Sequence, residues 1–428
     1  MRNIHCAAAA STGLTAGEIE HTLNKALMPY AQAKHILVVP PDISRFNSYA
    51  GDIVSMLRRL FMRAQIDVLP ALGTHTPMTP AEIKSMYGDL PLADVIVHDW
   101  RRDPVALGQI AADFVHQVSE GLLNYPIDVE ISKHLLDPKY DLILSVGQVV
   151  PHEVAGFANY TKNLLVGCGG LGMINHSHYL GAVYGMERIM GRIENPVRSL
   201  YNYAAQTYLS RLPLVYILTV TTMGLSGVNV EGVFIGHDDD SFYQAAALSQ
   251  AKNLTFLETP IEKAVVYLHP DKFKTTWVGN KAIYRTRMAL ADEAELLVIA
   301  PGVHGCGEDA ENDRLIRQFG YRSREEVMSA VASSKVLSEN LAVAAHLIHG
   351  SSEGRFNITY ATDRLTSKEV RSLNYAHMSL DAALAQYHPQ NLTDGWNTVN
   401  GEQVFYISNP SLGLWTTRDR FVGAGKRG

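Results

Sequence analysis

The sequence predicts an α/β protein: two α/β domains with mainly parallel sheets and an active site in the interdomain cleft. Three observations carry this. Short β-branched apolar runs alternate with stretches of helical periodicity, and strand–helix–strand succession means βαβ units with parallel pairing. The pattern begins again near Ile261. The 428 residues are enough for two or three domains, each with its own core.

The elements follow in order. Ser11 to Ala33 is mostly helical in pattern, and His35-Ile36-Leu37-Val38-Val39-Pro40 is the first buried strand. Tyr49 to Ala64 sets Ile53, Met56, Leu57, Leu60 and Phe61 at helical spacing. Ile66 to Ala71 reads as a strand, Pro80 to Tyr87 as a helix, Ala93 to Val97 as a strand and Asp141 to Val146 as a buried strand. Crossovers between such strands are right-handed. Pro196 to Leu212 is a helix with proline at its start, and Leu214 to Val220 with Val228 to Ile235 forms a hairpin. His237 to Ser241 reads as a turn and N-cap before a helix over Phe242 to Leu254. Its acidic triplet could bind a cation, but a solvated cap accounts for it more simply. In the second half, Ala264 to Leu268 and Glu295 to Ala300 are strands flanking a helix from Trp277 to Ala291. Helices are expected over Ala310 to Phe319, Ser323 to Ser333 and Leu337 to His349, then strands at Ile358 to Tyr360 and Val404 to Ile407. The domains are placed at 1–258 and 259–407, with the tail 408–428 packing back on the first.

Composition excludes several classes. Apolar residues make up 46% and charged residues 19%, a balance that folds rather than staying disordered. The net charge of −6, with no basic block, argues against nucleic acid as a partner. Cys6, Cys168 and Cys306 lie far apart, without a CxxC pair, which suits a reducing cytoplasm. The run Cys6 to Ala10 is too short for the core of a signal peptide, and no stretch approaches a membrane span. A cytoplasmic protein with a small-molecule ligand and no membrane partner is expected.

The reactive residues gather after the predicted strands, where open α/β sheets place their ligands. Asp42-Ile43-Ser44-Arg45 presents a carboxylate, a hydroxyl and a guanidinium within four residues. Arg suits bidentate binding of a carboxylate or phosphate, although a capping loop with Asp42 paired to Arg45 fits equally. Gly73-Thr74-His75 puts an imidazole at a loop tip, useful as a general acid or base, although taken alone the motif reads better as an ordinary solvent-exposed loop histidine. His152 follows the third strand, Lys162 comes ten residues later and His178 sixteen after that. Neutral neighbours around Lys162 favour a deprotonated, nucleophilic amine. His178 could ligate a metal, but one or two protein ligands are too few for a standard zinc site. A metal carried mostly by an organic cofactor meets that shortfall. The run Gly167-Cys168-Gly169-Gly170-Leu171-Gly172 matches GxGxxG, but the apolar run before it is short and Met173 to His178 opens poorly as a helix. Its amides could still hold a phosphate.

Together these motifs resemble the nickel-pincer-nucleotide lactate racemase family. The resemblance rests on Asp42/Ser44/Arg45, Gly73/His75, His152, Lys162 and His178, in the family's order and spacing, and covers most of the chain. It implies that Lys162 carries, through a thioamide, the pyridinium-3-thioamide-5-thiocarboxylic acid mononucleotide, with nickel bound and His178 as the protein's metal ligand. It further implies that His75 and His152 act as acid and base while a hydride leaves C2 of a 2-hydroxy acid, that Asp42 and Ser44 contact the cofactor and that Arg45 anchors a carboxylate or phosphate. Cofactor-synthesis proteins would be transient partners.

This sequence departs from the family at three places. Thr76 stands where the family has Arg; Asn159-Tyr160-Thr161 replace small residues including Gly before the lysine; and Tyr284-Arg285-Thr286-Arg287 stands for the family's Tyr-Gln-x-x-Lys. Arg285 or Arg287, with Tyr284, would then clamp the substrate carboxylate. The expected substrate is a larger or more polar 2-hydroxy acid than lactate, such as a sugar acid. Two other classes compete: an NAD-type oxidoreductase using Gly167 to Gly172, and a non-catalytic cofactor-binding homologue.

Overall fold

A computed structural model describes residues 3–9, 12–224 and 227–424. Ala10 and Ser11, where the alanine run meets the first expected helix, and residues 425–428 of the tail lie outside the described residues. The chain is α/β and forms two compact units, Met1–Ser177 with Met190–Asn253, and His178–Ile189 with Leu254–Gly428.

The first unit is built on a six-stranded sheet. Its strands are β1 (Ile4–Ala7), β2 (His35–Val39), β3 (Gln65–Val68), β4 (Leu142–Gln148), β5 (Leu214–Gly224) and β6 (Gly227–Gly236), in the spatial order β1-β6-β5-β4-β2-β3. The pairs β2–β3, β2–β4 and β4–β5 are parallel, whereas β6 is antiparallel to both its neighbours. All seven residues of β4 but the last are buried, as its unbroken apolar run requires of a strand covered on both faces.

Helices α1 (Ala16–Leu27), α2 (Ala50–Leu60) and α3 (Pro80–Tyr87) supply the crossovers. Capping boxes at Thr15/Glu18 and Thr79/Glu82 start α1 and α3 by satisfying amides that the first helical turn leaves open. The apolar stripe of α2 packs Ile53, Val54 and Leu57 against Ile36, Val38 and Val68, alongside Ile19 and Leu23 of α1. Each such side chain contributes about 1.5–3 kcal/mol on burial. Because β3, β2 and β4 are parallel neighbours, the loops that follow them leave from one edge of the sheet, and these loops carry the candidate residues.

The second unit has its own six-stranded sheet: β7 (Ile261–Tyr267), β8 (Leu290–Ile299), β9 (Asn357–Ala361), β10 (Ala376–Met378), β11 (Gly395–Val399) and β12 (Glu402–Ile407), ordered β10-β9-β8-β7-β12-β11. Only β11–β12 is antiparallel. Within this unit Leu414–Thr417 of the tail pairs in parallel with Leu254–Leu257.

Several expectations need correction. Ala93 to Val97 is not a strand: Leu92–Asp94 forms a 3-10 turn, and a single bridge joins Val95 to Val68. Three valines and isoleucines in five residues mimic a strand, but the segment only touches the sheet's edge. An antiparallel pair of Pro104–Ile110 with Ile127–Ser132, joined through the helix Ala112–Val118, was not foreseen. Trp277 to Ala291 is two short helices, Thr276–Gly279 and Lys281–Tyr284, with β8 beginning at Leu290. Gly279 and Asn280 at their junction are the local cause. Leu337 to His349 likewise breaks at Asn340. Met173 to His178, expected to open poorly as a helix, lies within a continuous one, Leu171–Tyr184.

Candidate active site

Asp42 follows β2 and caps the short 3-10 stretch Ile43–Ser48. One carboxylate oxygen accepts from the Ser44 amide at 3.2 Å and from the Ser44 hydroxyl. The other lies 2.7 Å from His75 Nδ1. Asp42 is buried, while the His75 side chain is 56% exposed. Burial pushes the Asp42 carboxyl up, but the hydrogen bond and charge of His75, the Ser44 bond and the Arg45 charge outweigh it, so its pKa lies below the usual value. An ionised carboxylate can only accept, so Nδ1 carries the hydrogen, and in the neutral form of the ring the lone pair is at Nε2. The loop that carries His75 turns at Gly73, whose φ of 58° suits glycine, and the Gly73 amide donates to Gly167 O at 2.8 Å.

His152 sits after β4 in a tight hairpin, Pro151–His152 against Gly156–Phe157, and is buried. Its Nδ1 accepts the Val154 amide hydrogen at 3.1 Å. The hydrogen of neutral His152 is therefore on Nε2, which lies 3.8 Å from a Glu153 carboxylate oxygen. The two imidazoles thus hold opposite tautomers.

Lys162 lies in the five-residue helix α4 (Thr161–Leu165). Desolvation first, then the charges of Arg45 and Arg198, partly opposed by Glu153 and Asp42, together lower its amine to about 8. The structure therefore brings the loops of Asp42, Arg45, His152 and Lys162 into one electrostatic neighbourhood, with His75 attached through Asp42.

The approach to Lys162 is strained. Asn159 has φ 63°, and Tyr160 has φ 59° with ψ −133°, a region populated almost only by glycine. Such a residue costs about 1–3 kcal/mol. The surroundings hold it: the Tyr160 ring stacks on Phe242 with centroids 5.1 Å apart and tilts against Tyr216 at 4.3 Å, and its hydroxyl donates to Asp239 at 2.6 Å. Asp239, part of the acidic triplet, also opens the helix Asp239–Asn253, so the triplet is a cap. Buried Arg198 was missed from the sequence, although it shares the inward face of the helix Pro196–Ala204 with Tyr201, one helical turn away.

The glycine run has a packing role. A Cβ on Gly169 would strike the Leu165 carbonyl, and one on Gly170 would meet the Glu130 carboxylate and stand 2.9 Å from Glu130 Cβ. The Glu130 carboxylate thus lies over Gly170 and Gly172, beside the start of the helix Leu171–Tyr184, where a pyrophosphate would have to sit. Helix α4, not a strand, precedes the run. Both facts oppose a dinucleotide loop.

In the second unit, His178 lies on the helix Leu171–Tyr184 and is half-buried. Tyr284, Arg285 and Arg287 are all buried. The Arg287 guanidinium pairs with Glu187 at 3.1 Å and donates to Ser351 O at 3.2 Å. Arg285 makes one long bond to Gly413 O, 3.5 Å, and its Nε has no hydrogen-bond partner among the described residues. Among the described residues no group of three or more His, Cys, Asp or Glu could hold a metal ion, and no helix is long and apolar enough to cross a membrane.

A mainly parallel sheet whose strand-end loops carry a carboxylate–imidazole pair and a second imidazole, with a desolvated amine on the short helix that follows, defines a two-unit α/β protein with its candidate residues at that edge. Residues 18–189, which include Asp42, His75, His152, Lys162 and His178, match the family model described as the lactate racemase N-terminal domain. Among solved structures, a protein from Thermotoga maritima is 20% identical with a TM-score of 0.82, over 96% of this chain and 100% of that one. The lactate racemase apoprotein from Thermoanaerobacterium thermosaccharolyticum is 17% identical with a TM-score of 0.70, over 97% of this chain and 100% of that one. At these identities the two structures speak for the fold. No curated protein matches the sequence significantly. Residues 18–189 are thus similar to the lactate racemase N-terminal domain, and the chain as a whole shares the fold of these two structures.

Proposed function

We propose that the protein is an isomerase, a racemase or epimerase of a 2-hydroxy acid, working with a nickel-pincer nucleotide joined to Lys162. The observation that carries the reading is the Lys162 amine. It is desolvated and lowered to about 8, with the charges of Arg45 and Arg198 acting against its protonation and those of Asp42 and Glu153 for it. An amine largely uncharged at mildly alkaline pH is what capture by a nucleotide-borne thiocarboxyl group requires.

The residues fit such a group. Arg45 is a partner for its phosphate. His178 would be the protein's nickel ligand, and with so few protein donors the others belong to the nucleotide. When bound, the group supplies a hydride acceptor for C2 of the substrate. The chain's own residues then handle protons. His75 Nε2, with its lone pair exposed by the Asp42 bond, takes the hydroxyl proton. His152 Nε2–H gives a proton to the keto oxygen when C2 is reduced again. Arg287 is committed to Glu187, so Arg285, beside Tyr284, is the better candidate for the substrate carboxylate. A buried guanidinium with an open Nε favours a substrate with more polar groups than lactate, for instance a sugar acid. The cytoplasm, where cofactor-synthesis proteins would load Lys162, is the proposed location.

The test is co-expression with cofactor-synthesis enzymes, then intact mass, elemental analysis for nickel and a panel of 2-hydroxy acids separated by chiral chromatography. An adduct on Lys162 with nickel and interconversion of one acid's stereoisomers is expected. No adduct under these conditions would overturn the reading, and adduct with nickel but no turnover would mark a non-catalytic homologue.

A further inference from the structure

We infer that Arg198 is a positioning residue: its guanidinium clamps the strained turn between Phe157 and Thr161, so that Lys162 is presented as a preorganised nucleophile. This rests on the reading of Lys162 as the tether, but its test does not use the cofactor.

Arg198 is 1% exposed and pairs with no carboxylate among the described residues. A buried cation without a counter-charge is costly, so its retention calls for a task. The hydrogen bonds it makes all go to the segment ahead of Lys162, Nη2 to Phe157 O at 2.7 Å and Nη1 to Thr161 Oγ1 at 2.9 Å and to Asn159 O at 3.4 Å, while its Nε has no hydrogen-bond partner among the described residues. Phe242 faces the guanidinium at 4.2 Å and also stacks on Tyr160. One fork therefore grips three alternate residues, and the two it spans include Tyr160 in its glycine-like conformation. Helix α4 is too short to fix its own direction, so the turn sets it. Thr161, gripped by Arg198, is further tied to Asn202 at 3.0 Å.

Charge reinforces the geometry. Arg198 and Arg45 oppose protonation of Lys162, while Glu153 and Asp42 favour it. A lysine in place of Arg198 would keep the charge but could not grip three acceptors with a planar fork.

The experiment follows the rate at which 1-fluoro-2,4-dinitrobenzene labels Lys162 in cofactor-free protein from pH 6.5 to 10, read by peptide mass spectrometry. Wild type should show a midpoint near 8. Arg198→Lys should keep that midpoint with a plateau rate lower by about tenfold or more, the usual scale for a misplaced reacting group. Arg198→Met should lower the plateau and also raise the midpoint. Wild-type labelling behaviour in either variant, with an unchanged circular dichroism spectrum, overturns the inference. If neither variant folds, hydrogen exchange on the wild type decides: amides from Ala158 to Val166 should exchange at least about a hundredfold more slowly than exposed loops, and exchange at loop rates overturns the clamp. A normal labelling pattern in wild type, altered in the variants, together with no nucleotide adduct after co-expression, would leave the clamp standing and sink the tether.

Discussion

Asp42 and His75 come from loops after two adjacent parallel strands and meet through one bond of 2.7 Å between Oδ2 and Nδ1. The bond fixes which ring nitrogen of His75 is free. In His152 the opposite nitrogen is tied, to the Val154 amide. The proposed racemase chemistry needs one group ready to take a proton and another ready to give one, and opposite neutral tautomers would provide both before substrate arrives.

Replacing Asp42 by Asn tests this arrangement. The Asn amide can donate to Nδ1 and hold His75 in the wrong tautomer, with its lone pair engaged. On the scale of carboxylate-to-amide changes beside catalytic imidazoles, kcat should fall by about 10²–10⁴ with little change in KM. Intact mass should show the same loading of Lys162. A loaded Asp42→Asn enzyme with full kcat would remove Asp42 from this role.

His75→Ala and His152→Ala should each abolish interconversion while the Lys162 adduct remains, because neither imidazole is the tether. With C2-deuterated substrate the proposed hydride route predicts that the wild-type product keeps its deuterium, because a hydride does not exchange with water. Mass spectrometry of the recovered stereoisomer reads this directly. Extensive washout into water would instead point to proton abstraction at C2.

Much of this was legible in the sequence, for a physical reason. Runs such as His35–Val39 and Leu142–Gln148 are apolar because both faces of a parallel strand are covered, so they announce themselves, and the loops after them hold the candidate residues. Long-range partnership was not legible. Asp42 reads as a partner for Arg45 or for a ligand hydroxyl, and only the parallel pairing of β2 with β3 brings it to His75. Tyr160 gives no sign of a positive φ, which Asn159 at least permits. The glycine run looks like a nucleotide loop because tight packing and phosphate binding both select for a missing Cβ.

Lys162 should destabilise the cofactor-free protein. Its folded pKa of about 8 lies below the ordinary 10.5, chiefly through desolvation. Below about 8 both folded and unfolded chains hold the proton, and the folded chain bears the full penalty. Between about 8 and 10.5 the unfolded chain binds the proton and the folded chain does not, so stability rises with pH. Lys162→Met should therefore raise stability at pH 7 by on the order of 2 kcal/mol, with the gain shrinking as pH rises through that window. Urea unfolding at pH 7 and pH 9.5 measures it; a gain independent of pH would show that the amine is not desolvated.

Gly170 separates packing from nucleotide binding. Its missing Cβ leaves room for Glu130, so Gly170→Ala should destabilise the fold by about 1–3 kcal/mol through overpacking. Glu130→Ala in the same chain should recover part of the loss, because the clash lies with that side chain and not with backbone. At Gly169 the obstacle is the Leu165 carbonyl, so Gly169→Ala should be worse and Glu130→Ala should not rescue it. A nucleotide loop predicts another pattern: loss of NAD affinity in the alanine variants without selective rescue. Urea unfolding of the four variants, with calorimetric titration of NAD into wild type, distinguishes the two. Rescue confined to Gly170 and no heat of NAD binding are expected, whereas tight NAD binding would return the run to the oxidoreductase reading.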